Sequence, residues 1–144
     1  MIVLDAYAVL ALLKDEPAAA PVRQLLHRDP DASVTVLGVA EVLDHLVRVA
    51  GASEEDAALD LAQLGLVEPH PLDAAVSMRA GLLRSRHYHR RVRAVSLADC
   101  VIAESARTAS APVVSSDPHL LDMCKAEGID VMPLPDSHGR TWPP

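Results

Sequence analysis

Aromatic residues are almost absent from this sequence: phenylalanine does not occur, and the aromatic fraction of the 144 residues is only 2%. The core therefore has to be built from leucine, valine, alanine and isoleucine. With 50% of the residues hydrophobic, the chain has enough apolar material for one globular domain. The scarcity of rings excludes a nucleic-acid surface that binds by stacking successive bases on aromatic side chains.

Cysteines are scarce as well, since Cys100 and Cys124 are the only two. Both lie in segments with a helical pattern, and no CxxC pair or secretory signal points to an oxidising compartment, so we expect buried, reduced thiols. The longest early apolar stretch, residues 6–13, is too short to span a membrane, and Asp5 precedes it where a signal peptide carries basic residues. These absences predict a cytoplasmic protein that does not enter a membrane.

The net charge is −7 at pH 7, and taken alone this argues against a nucleic-acid partner. The distribution of charge argues the other way, because the stretch between Asp73 and Asp99 contains six arginines and no acid. This arginine strip is predicted to contact phosphates of RNA, the ordinary alternative being arginines on a solvated helix face. The strip comprises Arg79, Arg84, Arg86, Arg90, Arg91 and Arg93, of which the last five are the predicted RNA-binding residues.

Short apolar segments alternate with amphipathic segments along most of the chain. The pattern predicts strands over residues 2–4, 33–36, 66–72, 112–115 and 129–134, and helices over 8–14, 18–28, 39–49, 54–64, 74–86, 97–109 and 117–127. The strand at 66–72 is placed at an edge, because its two prolines would interrupt a central ladder. Strands that alternate with helices predict an α/β fold, with helices on both faces of a parallel sheet.

Four acids lie in or beside apolar segments, where a purely structural carboxylate is out of place: Asp5, Glu41, Asp99 and Asp117. Asp5 and Asp117 each follow a predicted strand, and ligands of parallel sheets bind outside the carboxyl ends of the strands. Predicted helices would bring Asp99 and Glu41 to the same crevice. Because crowded carboxylates need a cation, and oxygen-only ligands favour Mg²⁺ or Mn²⁺ over zinc, the four acids predict a catalytic metal site.

Each acid also has an ordinary structural explanation. Asp117 could do no more than cap the helix that follows it, and Asp99 could form a capping arrangement with Ser96, although Glu or Gln is preferred at that offset. Glu41 would be an exposed helix residue if the helical phase differed by one position. Asp5 is the hardest to explain structurally, and the coincidence of all four favours one shared site.

Four segments together carry a family resemblance: residues 2–13 (IVLDAYAVLALL), 39–42 (VAEV), 96–103 (SLADCVIA) and 115–120 (SSDPHL). In this order and spacing they resemble the PIN domain, and more narrowly the VapC toxins of bacterial type II toxin–antitoxin systems. The match runs from Met1 to about Leu134. Any one of these motifs is weak, but four in the right order in a chain of this length are specific.

The resemblance implies a three-layer α/β/α sandwich around a mostly parallel sheet, and with the five predicted strands this gives a domain of residues 1–134 with an about five-stranded sheet. The remaining residues, 135–144, are predicted from the sequence to form a short flexible tail. It also implies endoribonuclease activity, a homodimer and inhibition by a cognate antitoxin protein. The implied Mg²⁺ or Mn²⁺ site comprises Asp5, Glu41, Asp99 and Asp117.

The sequence departs from the family beside the first acid. The family usually places Ser or Thr two residues after it, where a hydroxyl supports the metal site, and here that residue is Tyr7. A phenol projects much farther, so Tyr7 supports the site in a different way or not at all. Ser115, two residues before Asp117, keeps the small hydroxyl that the family often has there.

The leading hypothesis is metal-dependent hydrolysis of RNA phosphodiester bonds. One rival is phosphoryl transfer through an aspartyl phosphate on Asp5, but enzymes of that kind resembling haloacid dehalogenases need a second Asp where Tyr7 stands. Another rival is a PIN-like module that binds RNA or a partner without cutting. A third is a housekeeping PIN nuclease without an antitoxin.

Overall fold

Four short parallel strands form the centre of the protein in this computed structural model, which describes residues 1–142. The strand order is β2-β1-β3-β4, and each strand pairs in parallel with its neighbour. The strands are β1 (Ile2–Leu4), β2 (Ala32–Val34), β3 (Val113–Ser115) and β4 (Val131–Pro133). The carboxyl ends of all four strands therefore lie at one edge of the sheet.

Within the described residues, seven α-helices surround the sheet: α1 (Ala6–Leu13), α2 (Ala19–Arg28), α3 (Val36–Asp44), α4 (Glu54–Ala62), α5 (Ala74–His87), α6 (Leu97–Ala109) and α7 (Pro118–Ala126). A π-helical turn, His45–Val49, continues α3. The third helix begins earlier than the predicted 39–49 because the Thr35 side chain caps it, accepting a hydrogen bond from the Gly38 amide at 2.9 Å.

Helices cover both faces of the sheet, because successive residues of a strand point to opposite sides. Val3 and Val113 pack with residues of α5, α6 and α7 in one core cluster. Ile2, Leu4 and Val114 pack with residues of α1 to α4 in the other. This layering confirms the predicted α/β fold with a parallel sheet between two layers of helices.

The predicted edge strand at residues 66–72 does not form, so within residues 1–142 the sheet has four strands instead of about five. The Val67 amide donates a single hydrogen bond to the Ala32 carbonyl, 2.9 Å away, alongside β2. Pro69 and Pro71 follow at once, and neither carries the backbone N–H that a ladder requires. One bond is too little to make a strand.

The segment after β4 folds back on the domain as far as residue 142. The Asp136 carboxylate accepts hydrogen bonds from the amides of His138 and Arg140, both at 2.9 Å, and closes a turn. The indole Nε1 of Trp142 donates to Asp122 of α7 at 3.0 Å. The division into a domain and a flexible tail stays a prediction, and residues 143–144 of that tail lie outside the described residues.

The two cysteines are free and buried, as predicted. Cys100 of α6 lies 3.9 Å from the Met123 sulfur of α7, and burial raises the pKa of the Cys100 thiol to about 11 and that of Cys124 to about 12. Both thiols serve as core side chains. No helix within residues 1–142 combines the length and apolar character needed to cross a membrane.

Candidate active site

Neighbouring strands β1 and β3 bring two of the four acids together. Asp5 directly follows β1, and its amide donates a hydrogen bond to the Val114 carbonyl of β3 at 3.1 Å. The Ser115 hydroxyl donates to the Asp5 carboxylate and accepts from the Asp117 amide at 2.9 Å. Ser115 therefore links the Asp5 carboxylate to the Asp117 backbone through one buried hydroxyl, and its role in supporting a metal site stays a prediction.

Asp5 is the most deeply buried of the four acids, with 6% of its surface exposed. It caps α1, because its Oδ1 accepts a hydrogen bond from the Ala8 amide at 2.8 Å. Burial raises the pKa of the Asp5 carboxyl to about 7; hydrogen bonds from Ser115 and Ala8 lower it in part, and the charges of Asp99 and Asp117 add to the rise. Without a cation nearby, Asp5 is close to half protonated at neutral pH.

Asp99 lies in the first turn of α6 and takes part in a capping box. Its amide donates to Ser96 Oγ at 3.0 Å, and its Oδ2 accepts from the Ser96 amide at 2.8 Å. This local role was the structural alternative for Asp99. It occupies Oδ2 and leaves Oδ1 without a protein partner among residues 1–142. Burial first, and then the charge of Asp117, raise the pKa of Asp99.

Asp117 likewise caps the helix that follows it. Its Oδ1 accepts a hydrogen bond from the His119 amide of α7 at 2.8 Å. As with Asp99, the second carboxylate oxygen has no protein partner in the described part of the chain. Capping and a share in an acidic site are therefore compatible for both residues, because each role uses a different oxygen.

Glu41 contributes from α3 and is exposed at the surface. Partial desolvation and then the charge of Asp99 raise the pKa of the Glu41 carboxyl. Asp99 in turn acts on Asp5. The four acids thus share one electrostatic environment at the carboxyl edge of the sheet, with Glu41 at its outer side.

The donor chemistry of this cluster fits a hard divalent cation. All four candidate ligands are carboxylates, and none of them forms an ion pair within residues 1–142. The side chains are not gathered into a coordination sphere, however. No three His, Cys, Asp or Glu side chains of the described residues are close enough to share one ion.

Tyr7 forms its hydrogen bond outside the group of acids. Its hydroxyl donates to the Pro135 carbonyl, 3.2 Å away, in the segment that follows β4. Burial, and then the charge of Glu16, raise the pKa of the Tyr7 phenol. Tyr7 therefore joins the start of α1 to the C-terminal segment, while Ser115 provides the hydroxyl at the acids.

The structure divides the arginine strip. Arg84, Arg86 and Arg93 have protein partners, as does Arg79, whereas Arg90 and Arg91 are exposed and their guanidinium groups have none among residues 1–142. The partners of these four arginines are Glu104 and Thr108 for Arg79, the Val95 carbonyl for Arg84, Glu127 for Arg86 and His87 for Arg93.

Sequence reasoning missed His119, although it lies in the segment that carries the family resemblance. The His119 ring contacts the Val92 carbonyl at 3.2 Å, and its charge lowers the pKa of Asp99 against the larger effects that raise it. The available signal was the position of His119, two residues after Asp117. Nothing in the local sequence indicated that the loop around Val92 would return to this point.

A family model described as the PIN domain matches residues 2–126 of the chain. No curated protein matches the sequence of this chain.

Several solved structures share the fold. A chain in FitAcB from Neisseria gonorrhoeae aligns with a TM-score of 0.69 at 19% identity, covering 92% of this chain and 96% of that chain. A chain in VapBC2 from Rickettsia felis, crystallised with a DNA fragment from its promoter, aligns with a TM-score of 0.67 at 17% identity, covering 92% and 98%. A toxin–antitoxin complex from Klebsiella pneumoniae gives a TM-score of 0.60 at 13% identity, covering 81% and 87%. At these identities the likeness shows the fold alone.

Proposed function

Since the chain belongs to the PIN-domain family, we propose that it is a metal-dependent endoribonuclease that hydrolyses RNA phosphodiester bonds. The observation that carries the proposal is the hydroxyl of Ser115, which joins the Asp5 carboxylate to the Asp117 amide at the carboxyl edge of the sheet. Asp99 and Glu41 lie within the same electrostatic environment. A fold has no reason to concentrate uncompensated carboxylates in this way, because their repulsion and burial lower its stability.

The four acids would hold Mg²⁺ or Mn²⁺, which when bound supplies the positive charge that activates water and stabilises charge on the scissile phosphate. Ser115 ties the carboxylate of Asp5 to the backbone of Asp117, because its hydroxyl donates to the Asp5 carboxylate and accepts from the Asp117 amide. The Ala8 amide fixes the rotamer of Asp5, and the Ser96 amide fixes that of Asp99. The free oxygens of Asp99 and Asp117 then remain available to the cation.

We further propose that this nuclease is the toxin of a VapBC-type pair, acts as a homodimer in the cytoplasm and is inhibited by a cognate antitoxin. The support is the shared fold with chains from complexes described as VapBC2 and as a toxin–antitoxin complex. The test is co-expression with the product of any short reading frame immediately upstream. Rescue of growth supports the toxin assignment, whereas intact nuclease activity without rescue identifies a housekeeping PIN nuclease.

One observation favours a second candidate, a PIN-like module that binds RNA or a partner without cutting: the carboxylates of the described residues do not form a coordination sphere. A cleavage assay with single-stranded RNA separates the two. The nuclease proposal predicts cleavage on addition of Mn²⁺ or Mg²⁺ and none in EDTA. RNA binding without cleavage at any metal concentration would identify the binding module, and a labile phosphate on Asp5 would identify an aspartyl-phosphate enzyme.

Tyr7→Phe should have only a small effect. The substitution removes the hydrogen bond to the Pro135 carbonyl, which should lower the free energy of unfolding by about 1 kcal/mol. Cleavage should stay within about twofold of the wild-type rate, because the acids keep their own hydrogen bonds. Urea unfolding and the cleavage assay measure the two effects. A large loss of activity with little loss of stability would show that the Tyr7 hydroxyl acts on the acidic site.

A further inference from the structure

Residues 89–93 form a closed turn in the middle of the arginine strip. His89 and Arg93 pair as an antiparallel bridge, with N···O distances of 3.0 and 2.9 Å. Inside the turn, the His89 Nδ1 accepts hydrogen bonds from the amides of Arg91 and Val92, each at 3.2 Å. The backbone between these ends is therefore fixed by its own hydrogen bonds, although the side chains at its tip are exposed.

Side chains clamp the base of the turn. Arg84 donates from Nε to the Val95 carbonyl at 2.9 Å, and its guanidinium group stacks 4.3 Å from the centre of the Tyr88 ring. One arginine thus holds both ends of the segment that contains the turn. Its guanidinium is engaged on two sides, which makes Arg84 a structural residue.

Arg93 is turned inward in the same way. Its Nη1 lies 2.6 Å from His87 Nδ1, and because arginine can only donate, that nitrogen accepts. The proton of neutral His87 is then on Nε2, which donates to Glu127 at 2.7 Å. The Nε of Arg93 is buried without a hydrogen-bond partner among residues 1–142. Arg93 is therefore half-buried, with its guanidinium group engaged by His87.

The tip of the turn docks beside the acidic site. His119 Nδ1 lies 3.2 Å from the Val92 carbonyl, and since a carbonyl only accepts, Nδ1 donates this bond. His119 stands two residues after Asp117 and donates its amide to the Asp117 carboxylate. One residue therefore contacts the basic turn through its side chain and an acid of the site through its backbone.

Arg90 and Arg91 are the arginines of the strip whose side chains are exposed and have no protein partner among residues 1–142. They sit at the tip of a hydrogen-bonded turn whose Val92 carbonyl contacts His119, two residues after Asp117, in a stretch of sequence without acids. RNA approaching a protein of net charge −7 is repelled, and an oriented pair of guanidinium groups offsets that repulsion where the scissile strand must pass. Guanidinium is also the side-chain group that best matches phosphate geometry.

We propose that residues 89–93 are a phosphate-binding turn, in which Arg90 and Arg91 contact the backbone of the RNA substrate and His119 positions the turn beside the acids. The proposal rests on the ribonuclease function proposed above. It reduces the arginines predicted to contact RNA from five to two, and it assigns His119 a positioning role.

The first test compares two double variants that remove the same charge. Arg90→Gln, Arg91→Gln removes the proposed contacts, and Arg23→Gln, Arg28→Gln removes two exposed arginines of α2 that have no hydrogen bond or ion pair within residues 1–142. Binding of a short single-stranded RNA is measured by fluorescence anisotropy in EDTA, over a series of salt concentrations. Because no metal is present, binding is read independently of cleavage.

The turn variant should bind RNA about tenfold more weakly at low salt, and its plot of log K against log salt should be shallower by about 1.4, since each phosphate contact on a single strand contributes about 0.7. The α2 variant should bind like wild type. Equal losses in both variants would overturn the proposal, because only net charge would then matter. Unchanged RNA binding would also overturn it. This includes the case in which the turn variant binds RNA normally but no longer dimerises or no longer binds an acidic protein partner.

The second test concerns His119. His119→Leu removes the donor to Val92, and His119→Asn keeps an N–H close to the position of Nδ1. We expect His119→Leu to weaken RNA binding and raise KM about threefold, the effect of one lost hydrogen bond, with little change in kcat. His119→Asn should recover most of the loss, and His119→Leu should add little to the turn variant. If His119 had a purely structural role, His119→Leu would lower the stability of the protein without changing the salt slope of RNA binding, and His119→Asn would not recover RNA binding. That result would contradict the proposal.

The two levels of inference can fail separately. If substitutions of the acids leave cleavage unchanged, the proposed nuclease site is wrong, while the anisotropy data still decide whether the turn binds RNA. If the acids prove essential but the turn variant binds RNA normally, the turn assignment alone is wrong.

Discussion

Asp5→Asn should lower the rate of RNA cleavage by at least about 1,000-fold, corresponding to roughly 4 kcal/mol of lost stabilisation of the transition state. Asparagine has nearly the shape of aspartate and keeps an oxygen that can accept the hydrogen bond from the Ala8 amide, so α1 should remain capped. What it lacks is the negative charge that attracts the cation. Initial rates of cleavage with saturating Mn²⁺ provide the measurement.

A matched control for this substitution is Asp60→Asn, which removes the same charge from an exposed position on α4. It should cleave at the wild-type rate, and circular dichroism should show that all variants are folded. A protein carrying both Asp5→Asn and Asp99→Asn is the control for contaminating ribonuclease in the preparations. Cleavage by that doubly substituted protein at the wild-type rate would contradict the proposed site.

The structural and functional explanations of the acids turned out not to compete. From sequence, helix capping by Asp99 or Asp117 counted against a role in a shared site. In the structure Asp99 and Asp117 do cap their helices, and each uses one carboxylate oxygen for the cap. Capping fixes the direction of the side chain, which prepares the other oxygen for a ligand.

Local patterns predicted most of the elements that position the site. The apolar periodicity between Ser96 and Ser110 predicts a helix over 97–109, and α6 spans Leu97–Ala109, because its capping residue and its buried face agree. Asp5 at the end of β1 and Asp117 after β3 also follow from local signals, since an apolar strand, a cap and a helix succeed each other.

Features that depend on distant contacts were not predictable in this way. The acid-free stretch between Asp73 and Asp99 suggested a continuous basic surface, but Glu104 pairs with Arg79 and Glu127 with Arg86 across 25 and 41 residues of sequence. The strand at 66–72 failed for a related reason. Its residues suit a strand, yet the ladder that they would join requires N–H groups that two prolines do not have.

The stability of the metal-free protein should fall by about 4 kcal/mol as the pH rises from about 4 to about 8 because of Asp5, whose pKa is raised from 3.8 to about 7. In this window the unfolded chain has released the proton of Asp5 and the folded protein still holds it. The folded state binds more protons, so raising the pH favours unfolding; above about pH 8 both states are ionised and the loss is complete. The raised pKa values of Asp99 and Glu41 act in the same direction.

The measurement is urea unfolding in EDTA at pH 5 and pH 8, for wild type and Asp5→Asn. Subtracting the free energy of unfolding of Asp5→Asn from that of wild type at each pH removes the contributions of Asp44 and Asp136. The lowered pKa values of these two acids act at more acidic pH and in the opposite direction. Asp5→Asn should lack the fall in the free energy of unfolding that Asp5 causes between pH 5 and pH 8, and it should be the more stable protein at pH 8. Mn²⁺ at pH 8 should then stabilise wild type more than the variant. Equal slopes in the two proteins would show that Asp5 is ionised in the fold at all these pH values.

These results together would distinguish a functional carboxylate from a structural one. A structural acid stabilises the fold, so replacing it lowers stability and any loss of activity follows from that. For Asp5 we expect the opposite combination, in which Asp5→Asn abolishes cleavage and raises the stability of the metal-free protein at pH 8. A buried acid that destabilises its own fold at neutral pH is explained by a ligand that removes the penalty, and the proposed cation would do so by favouring the ionised form.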